Sequence, residues 1–236
     1  MLEPPKVFKK PALLEKSKHK DIKIKEPENF LFAKELEIVP LVFSELLEIS
    51  MWYPVLFAVH EQKHIFPFAV LGVNQRNVYL NEEGFFKVEA IPKVLEHYPF
   101  GVIKKVKDDK EEWLVIVDED FLEDEGERLF EENGEETPYL KDIKEKLTSL
   151  ALDFQKAYEF SMELWKAGCL KVLPELHFTS KFGSCSFKNV LVGDVEGLRK
   201  ISPEKLYYFN TIGYIPIFYS LYLSVRNFKL FDLFAK

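Results

Sequence analysis

The sequence predicts an α+β fold, in which an antiparallel β-meander packs against a long amphipathic helix and is followed by a hairpin and further helices. Short apolar runs separated by turn residues fill residues 53–117, as expected of a meander. An apolar spacing of three and four residues continues for about thirty residues after Thr137 and Pro138, as expected of a helix. Strands and helices do not alternate, which disfavours a parallel βαβ sheet.

The chain of 236 residues, of which 47% are hydrophobic, is predicted to form one domain preceded by an arm. The arm covers residues 1–28, where four prolines lie among many lysines, and its alternating segment 21–25 is expected to pair with a sheet edge. The single domain covers residues 29–236. Its predicted parts are a strand-rich part at 29–117, an acidic connector at 118–137, and the long helix, hairpin and C-terminal helices at 138–236.

The meander is recognised by the turn residues between its apolar runs. A short helix over residues 43–50 is expected to lead into it, and one or two helical turns over residues 90–97 interrupt it, with Pro92 near their start. The predicted strands are residues 55–60, 65–73 and 78–80, a run from Tyr98 to Val106, and residues 113–117; the predicted turns are residues 61–64, 74–77, 81–84 and 107–110.

The long helix has clear start and stop signals. Thr137 is a capping residue and Pro138 suits the first helical position, while Ala167 and Gly168 end the pattern. The apolar stripe consists of Leu140, Ile143, Leu147, Leu150, Phe154, Tyr158, Met162 and Trp165. We expect this stripe to line the core, since an amphipathic face is more often core than a partner site.

The C-terminal third is predicted to hold a hairpin and two helices. Gly183 and Ser184 are expected to form the hairpin turn, and Ser202 caps a short helix. Residues 211–225 are uncharged but fall short of the roughly 20 residues needed to span a bilayer. A buried helix is therefore predicted there, and no membrane span.

Composition and charge exclude some classes of function. The net charge of −7 disfavours nucleic acid, whose phosphates call for a basic surface. The 30% of charged residues, mostly Lys and Glu, is typical of a heat-adapted protein. Cys169 and Cys185 indicate two packed thiols in a reducing compartment, although one disulfide remains open. No apolar stretch follows the basic N-terminal residues, so no signal peptide is predicted and the sequence favours the cytoplasm.

No catalytic constellation stands out, and no cofactor is predicted. His60, His64 and His97 are candidates for a metal site, because His60 and His64 could face each other across a turn, but ordinary turn histidines are the favoured interpretation. Residues 183–187 lack the second glycine of a nucleophile elbow. The acidic connector fails the EF-hand pattern, because Leu122 stands at the fifth position.

Five segments are distinctive in their order and spacing: YPVLF at residues 53–57, FPFAVLG at 66–72, NVYLNEEG at 77–84, YPF at 98–100 and, above all, EGERLFEENGEETP at 125–138. Together they resemble the SapC family of bacterial proteins. The resemblance covers nearly the whole chain. The residues that mark it are Tyr53, Pro54, Gly72, Tyr98, Pro99, Phe100, Gly126, Leu129, Phe130, Gly134 and Pro138.

The family takes its name from a protein associated with a bacterial surface layer. The resemblance therefore implies a role in the biogenesis or structure of a surface layer. Our hypothesis is that a protein partner, such as a surface-layer or envelope component, binds at the sheet edge or the acidic connector. It implies no catalytic residue. The sequence thus favours a non-enzymatic binding or structural protein. The alternative is an enzyme or a small-ligand-binding protein with a pocket between the meander and the long helix, which His60, His64, His97 or the acids could join.

Overall fold

The computed structural model describes residues 6–60, 64–107, 110–123 and 125–234. Within these residues the α-helices are α1 Lys16–His19, α2 Leu46–Trp52, α3 Lys93–Glu96, α4 Pro138–Lys166, α5 Val195–Leu198, α6 Pro203–Thr211, α7 Tyr214–Ser224 and α8 Leu230–Leu233. The strands are β1 Pro11–Leu13, β2 Lys23–Ile24, β3 Ile38–Pro40, β4 Val55–His60, β5 His64–Val70, β6 Gly72–Val73, β7 Arg76–Asn77, β8 Phe100–Lys107, β9 Lys110–Asp118, β10 Leu122–Glu123, β11 Glu127–Arg128, β12 Leu170–Ser180 and β13 Gly183–Gly193. The predicted α+β class is confirmed.

The main sheet is antiparallel and has the strand order β12-β13-β4-β5-β3. Its centre is the β4–β5 hairpin, paired from Val55 with Ala69 to His60 with His64. Helix α4 packs on β5, and α7 packs on β4 and β13. Residues 55–57 are all buried instead of alternating, as expected of a strand in the middle of a covered sheet. The predicted turn at residues 61–64 lies largely outside the described residues.

The second sheet has the order β1-β9-β8 and brings the arm into the fold. Strand β1 pairs with the edge of β9, with Pro11 opposite Asp118. Segment 21–25 supplies β2, as its alternation predicts, but β2 pairs with β10 and β11 of the acidic connector instead of an edge of this sheet or the main sheet. The basic arm and the acidic connector, which are far apart in sequence, thus lie side by side. The turn predicted at residues 107–110 lies partly outside the described residues.

Helix α4 begins and ends where the sequence predicts. The Thr137 hydroxyl oxygen accepts a hydrogen bond from the Leu140 N–H at 3.2 Å, and Pro138 occupies the first turn. At 29 residues the helix is about 44 Å long. The predicted stripe is wrong in its last two turns, where Trp165 is exposed and the buried residues are Ala157, Phe160, Ser161 and Leu164.

Two predicted elements near the sheets are wrong in detail. Residues 78–80 do not form the predicted strand. A hairpin forms earlier in the chain instead, where β6 pairs with β7 around Asn74 and Gln75, which both have positive φ. Of the predicted helix at residues 211–225, Tyr214–Ser224 form α7, but only its inner side is buried, through Phe218, Leu221 and Ser224. Its outer side is exposed because no other described element covers it. Among the described residues no helix is both long and apolar enough to cross a membrane.

Candidate functional site

A cavity of about 280 Å³ lies between the main sheet, the second sheet and helix α4. We call it the central cavity. Its walls come from elements distant in sequence: the arm, strands β3, β4, β5, β8, β9 and β13, and helices α3 and α4. The lining residues are all apolar or glycine: Phe8, Ile38, Pro40, Ala58, Phe66, Pro67, Phe68, Val94, Gly101, Val102, Trp113, Leu150, Phe154 and Phe187.

One side of the cavity depends on a close approach of the arm to β8. A Cβ atom on Gly101 would lie 2.8 Å from Phe8 Cζ, so only glycine allows the phenyl ring of Phe8 to pack there without displacement. Phe8 in turn packs edge-on against Tyr98, with ring centroids 5.3 Å apart. The arm is therefore packed against the second sheet and forms one wall of the cavity.

Aromatic rings form another wall. Trp113 of β9 stacks on Phe154 of α4 with ring centroids 6.2 Å apart and an angle of 15° between the rings. Lys104 lies over the outer part of the Trp113 ring, 5.8 Å from its centroid, and also hydrogen-bonds Gln155 on α4 at 3.3 Å. These contacts hold the β8–β9 hairpin against the long helix. Ala58 and Ile38 are exposed and mark an opening of the cavity.

A polar groove of about 510 Å³ adjoins the central cavity at Leu150, which lines both. Lysines, acids, a histidine and two serines line this groove: Ser44, Lys93, Glu96, His97, Lys146, Ser149, Asp153 and Lys156. Asp153 accepts hydrogen bonds from the backbone and hydroxyl of Ser44, and Lys93 donates to the Ser44 hydroxyl at 2.6 Å. The groove is therefore an internally bonded polar surface beside an apolar cavity.

The ionisable groups near this groove are perturbed by burial. Burial raises the pKa of Glu45 to about 7, although the carboxylate accepts hydrogen bonds from the backbone N–H groups of Val42 and Lys93, both at 2.8 Å. Burial, helped by the charges of Lys146 and Lys93, lowers the pKa of His97, so its imidazole is neutral at pH 7. A neutral imidazole can donate or accept a hydrogen bond, but no described residue is hydrogen-bonded to the His97 ring in a way that would orient it as a base.

Of the three candidate histidines, the structure describes the side chains of His64 and His97, and these two lie at different places in the fold. His60 and His64 are cross-strand partners, but the side chain of His60 lies outside the described residues. The His64 ring lies 5.3 Å from that of Tyr158, and His97 lines the polar groove. In the described part of the chain no three His, Cys, Asp or Glu side chains are grouped as metal ligands. Neither His64 nor His97 lines the central cavity.

The acidic connector contains a buried carboxylate that the sequence does not distinguish from its neighbours. Asp118 is fully buried at the end of β9. Its Oδ2 accepts hydrogen bonds from the Lys9 N–H and the Tyr98 hydroxyl, both at 2.7 Å, and its Oδ1 accepts one from the Lys10 N–H at 3.0 Å. We call this group the Asp118 clasp. It fixes the arm, including Phe8, beside the central cavity.

The residues that mark the family resemblance occupy buried or turn positions. Tyr53 and Tyr98 are both buried, and the Tyr53 hydroxyl donates to the Ala90 carbonyl at 2.7 Å. The Tyr98–Pro99 peptide bond is cis. Pro54 precedes β4, Gly72 begins β6, Phe100 begins β8, and Pro138 begins α4. Leu129 and Phe130 are buried, and Gly126 and Gly134 have positive φ. None of these residues lines the central cavity or the polar groove.

The fold and the site define an α+β protein built around an apolar cavity. Its family is shown by comparison: the SapC family model matches residues 14–230, and the chain belongs to the SapC family. A search of curated proteins and a search of solved structures both found no match.

Proposed function

We propose that this SapC-family protein is a non-enzymatic binding protein that holds an apolar group in the central cavity. The observation that carries the proposal is the lining itself. Fourteen residues from both sheets, the arm, α3 and α4 converge on one cavity, and none of them has an ionisable side chain. Chemistry would require a general acid, a base or a nucleophile at the bound group, whereas binding requires only apolar surface.

The volume indicates the size of the bound group. An engineered cavity of about 150 Å³ takes up benzene, so a cavity of 280 Å³ has room for roughly ten carbon atoms. The opening beside Ala58 and Ile38 leaves space for a longer molecule to project outward. A medium-length alkyl or acyl chain, or a two-ring aromatic group, fits this description.

The test is a fluorescence titration with the neutral dye N-phenyl-1-naphthylamine. Ala58→Phe adds a phenyl ring at an exposed position of the cavity lining and should weaken dye binding by about tenfold or more. Val59→Phe is the matched control, because Val59 is the next residue on β4, points to the opposite face and is 45% exposed. Alkanols of increasing length should displace the dye best at roughly ten carbons.

The proposal fails if the wild-type protein does not bind the dye, or if Ala58→Phe binds it as well as Val59→Phe does. A thermal melt of each variant shows that the fold is intact.

We further propose that this binding serves surface-layer or envelope biogenesis, through a protein partner. Support comes from family membership alone. The acidic connector is largely engaged by the arm, since β10 and β11 pair with β2 and Asp118 binds Lys9 and Lys10. A pull-down from native lysate tests this role: an envelope or surface-layer protein should be recovered, and recovery of chaperones alone would contradict it.

A further inference from the structure

The outer side of helix α7 is an apolar surface that no described part of the chain covers. Ile212 just before the helix and Tyr219, Tyr222 and Leu223 within it are exposed by 37%, 42%, 39% and 51%. Within α7, Tyr219, Tyr222 and Leu223 are three and four residues apart and lie on one side of the helix, whereas Phe218 and Leu221 are buried. We call this surface the outer face of α7. A helix that is apolar on both sides is normally covered on both sides.

Neighbouring helices extend this surface. On α6, Tyr207 and Tyr208 are exposed by 73% and 46%. Helix α2 packs beside α7, where the Ser50 and Ser220 hydroxyls touch, and it exposes Met51 by 61%. Exposed apolar and aromatic side chains therefore also occur on both helices that pack against α7.

The segment of the chain that contains this face carries charges of one sign. Residues 205–231 contain no Asp or Glu, although the chain has 39 acids in 236 residues, a frequency that would place about four or five in such a run. The run contains Lys205, Arg226 and Lys229. Lys205 is already bound to Glu163. Arg226 and Lys229 are exposed and form no ion pair with a described residue, and Arg226 continues the spacing of Tyr219, Tyr222 and Leu223.

We propose that the outer face of α7 docks on an anionic lipid bilayer. Its aliphatic side chains enter the interfacial region, its tyrosines lie at the level of the headgroups, and Arg226 and Lys229 contact the lipid phosphates. The helix lies on the bilayer surface and does not cross it. The acids elsewhere in a chain of net charge −7 are repelled by the same lipids and orient the molecule with this face inward.

The charge pattern favours a bilayer over a second copy of the chain. A two-fold dimer brings the same surface of each copy together, so a charged face needs both signs to pair with itself. Residues 205–231, which contain this face, include no acid, and Arg226 and Lys229 form no ion pair with a described residue. An anionic bilayer supplies the missing charge as well as an apolar layer.

Vesicle flotation tests the proposal directly. Vesicles of phosphatidylcholine with about one-third phosphatidylglycerol should bind the wild-type protein in about 0.1 M salt, and pure phosphatidylcholine vesicles should bind it much less. Tyr219→Glu/Leu223→Glu should weaken binding by about tenfold or more. Leu152→Glu is the control, because Leu152 is 61% exposed on α4, away from this face. All three substituted side chains are exposed, and circular dichroism verifies that the fold is retained.

The cation contribution has its own control. Arg226→Gln/Lys229→Gln should reduce binding to anionic vesicles, and Lys18→Gln/Lys34→Gln, which removes two exposed charges elsewhere, should not. The proposal is overturned if the wild-type protein stays unbound, or if Tyr219→Glu/Leu223→Glu binds as well as Leu152→Glu. It is also overturned if light scattering finds a dimer that these substitutions dissociate. Ala58→Phe leaves vesicle binding unchanged, since this inference does not depend on the central cavity.

Discussion

Replacing the buried carboxylate of the Asp118 clasp should destabilise the protein markedly. Asp118→Asn keeps the size of the side chain but places an amide NH₂ where one carboxylate oxygen accepts hydrogen bonds. At Oδ2 it would oppose the Lys9 N–H and the Tyr98 hydroxyl, both now at 2.7 Å. Hydrogen bonds to charged groups contribute about 1.5–3 kcal/mol each. We therefore expect a loss of about 3 kcal/mol in the free energy of unfolding.

The second substitution in this experiment is Tyr98→Phe, which removes one donor from the same oxygen. It should cost about 2 kcal/mol by the same reasoning. In the double variant with Asp118→Asn the two losses should not add, because both substitutions break the same hydrogen bond, from the Tyr98 hydroxyl to Asp118 Oδ2. We expect a coupling energy of about 1 kcal/mol or more. Asp120→Asn is the control, since Asp120 forms only a partly exposed pair with Lys10 and should change stability by about 0–1 kcal/mol.

Urea unfolding followed by circular dichroism measures these free energies, and a thermal melt should show a decrease of roughly 6–12 °C for Asp118→Asn. Limited trypsin digestion provides an independent readout, because the lysines of the released arm become accessible. Equal stability of Asp118→Asn and Asp120→Asn would refute the reasoning. So would unchanged trypsin resistance of the arm.

Three further predictions concern other buried groups. The pKa of Glu45 is about 7 in the fold and 4.5 ordinarily, so the folded protein releases this proton at a higher pH than the unfolded chain does. The free energy of unfolding should therefore fall as the pH rises from about 4.5 to about 7, by at most about 3 kcal/mol. Urea unfolding at both ends of this range should show a smaller fall for Glu45→Gln than for the wild type; equal falls would contradict it. Gly126→Ala should lower stability more than Gly168→Ala does. Both glycines have positive φ, but a Cβ on Gly126 would lie 2.3 Å from a carbonyl oxygen of the arm, whereas a Cβ on Gly168 would meet open space. Thermal melts of the two variants test this difference. Cys169, whose pKa burial raises to about 11, should react with a thiol reagent more slowly than the partly exposed Cys185, and the order of labelling in mass spectrometry decides this.

Local signals made the long helix predictable. Thr137 and Pro138 begin it and Gly168 ends it, and each of these residues acts on its own neighbours in sequence. The predicted apolar stripe differs from the observed buried side in the last two turns of α4, because burial there depends on which elements cover the helix. Phe160 is buried because Phe43 and Tyr214, from distant segments, pack against it, and no local pattern reports that contact.

The site was less predictable, for the same reason. The sequence placed a pocket between the meander and the long helix, and the central cavity lies there. It did not identify Phe8 or Trp113 as lining residues, since their meeting depends on β1 pairing with β9 and on the contact between that sheet and α4. One sequence signal separates Asp118 from the other acids of its run: it directly follows the predicted strand that ends at Val117.

The Asp118 clasp also has a consequence for synthesis. Lys9 and Asp118 are separated by 109 residues, so the arm leaves the ribosome long before its acceptor exists. At about 5–20 residues per second, this interval is roughly 5–20 s. During that time the arm has neither β9 nor β10 and β11 to pair with, and Phe8 cannot reach its place beside Gly101. The arm is thus made before the second sheet and can dock only after that sheet has formed.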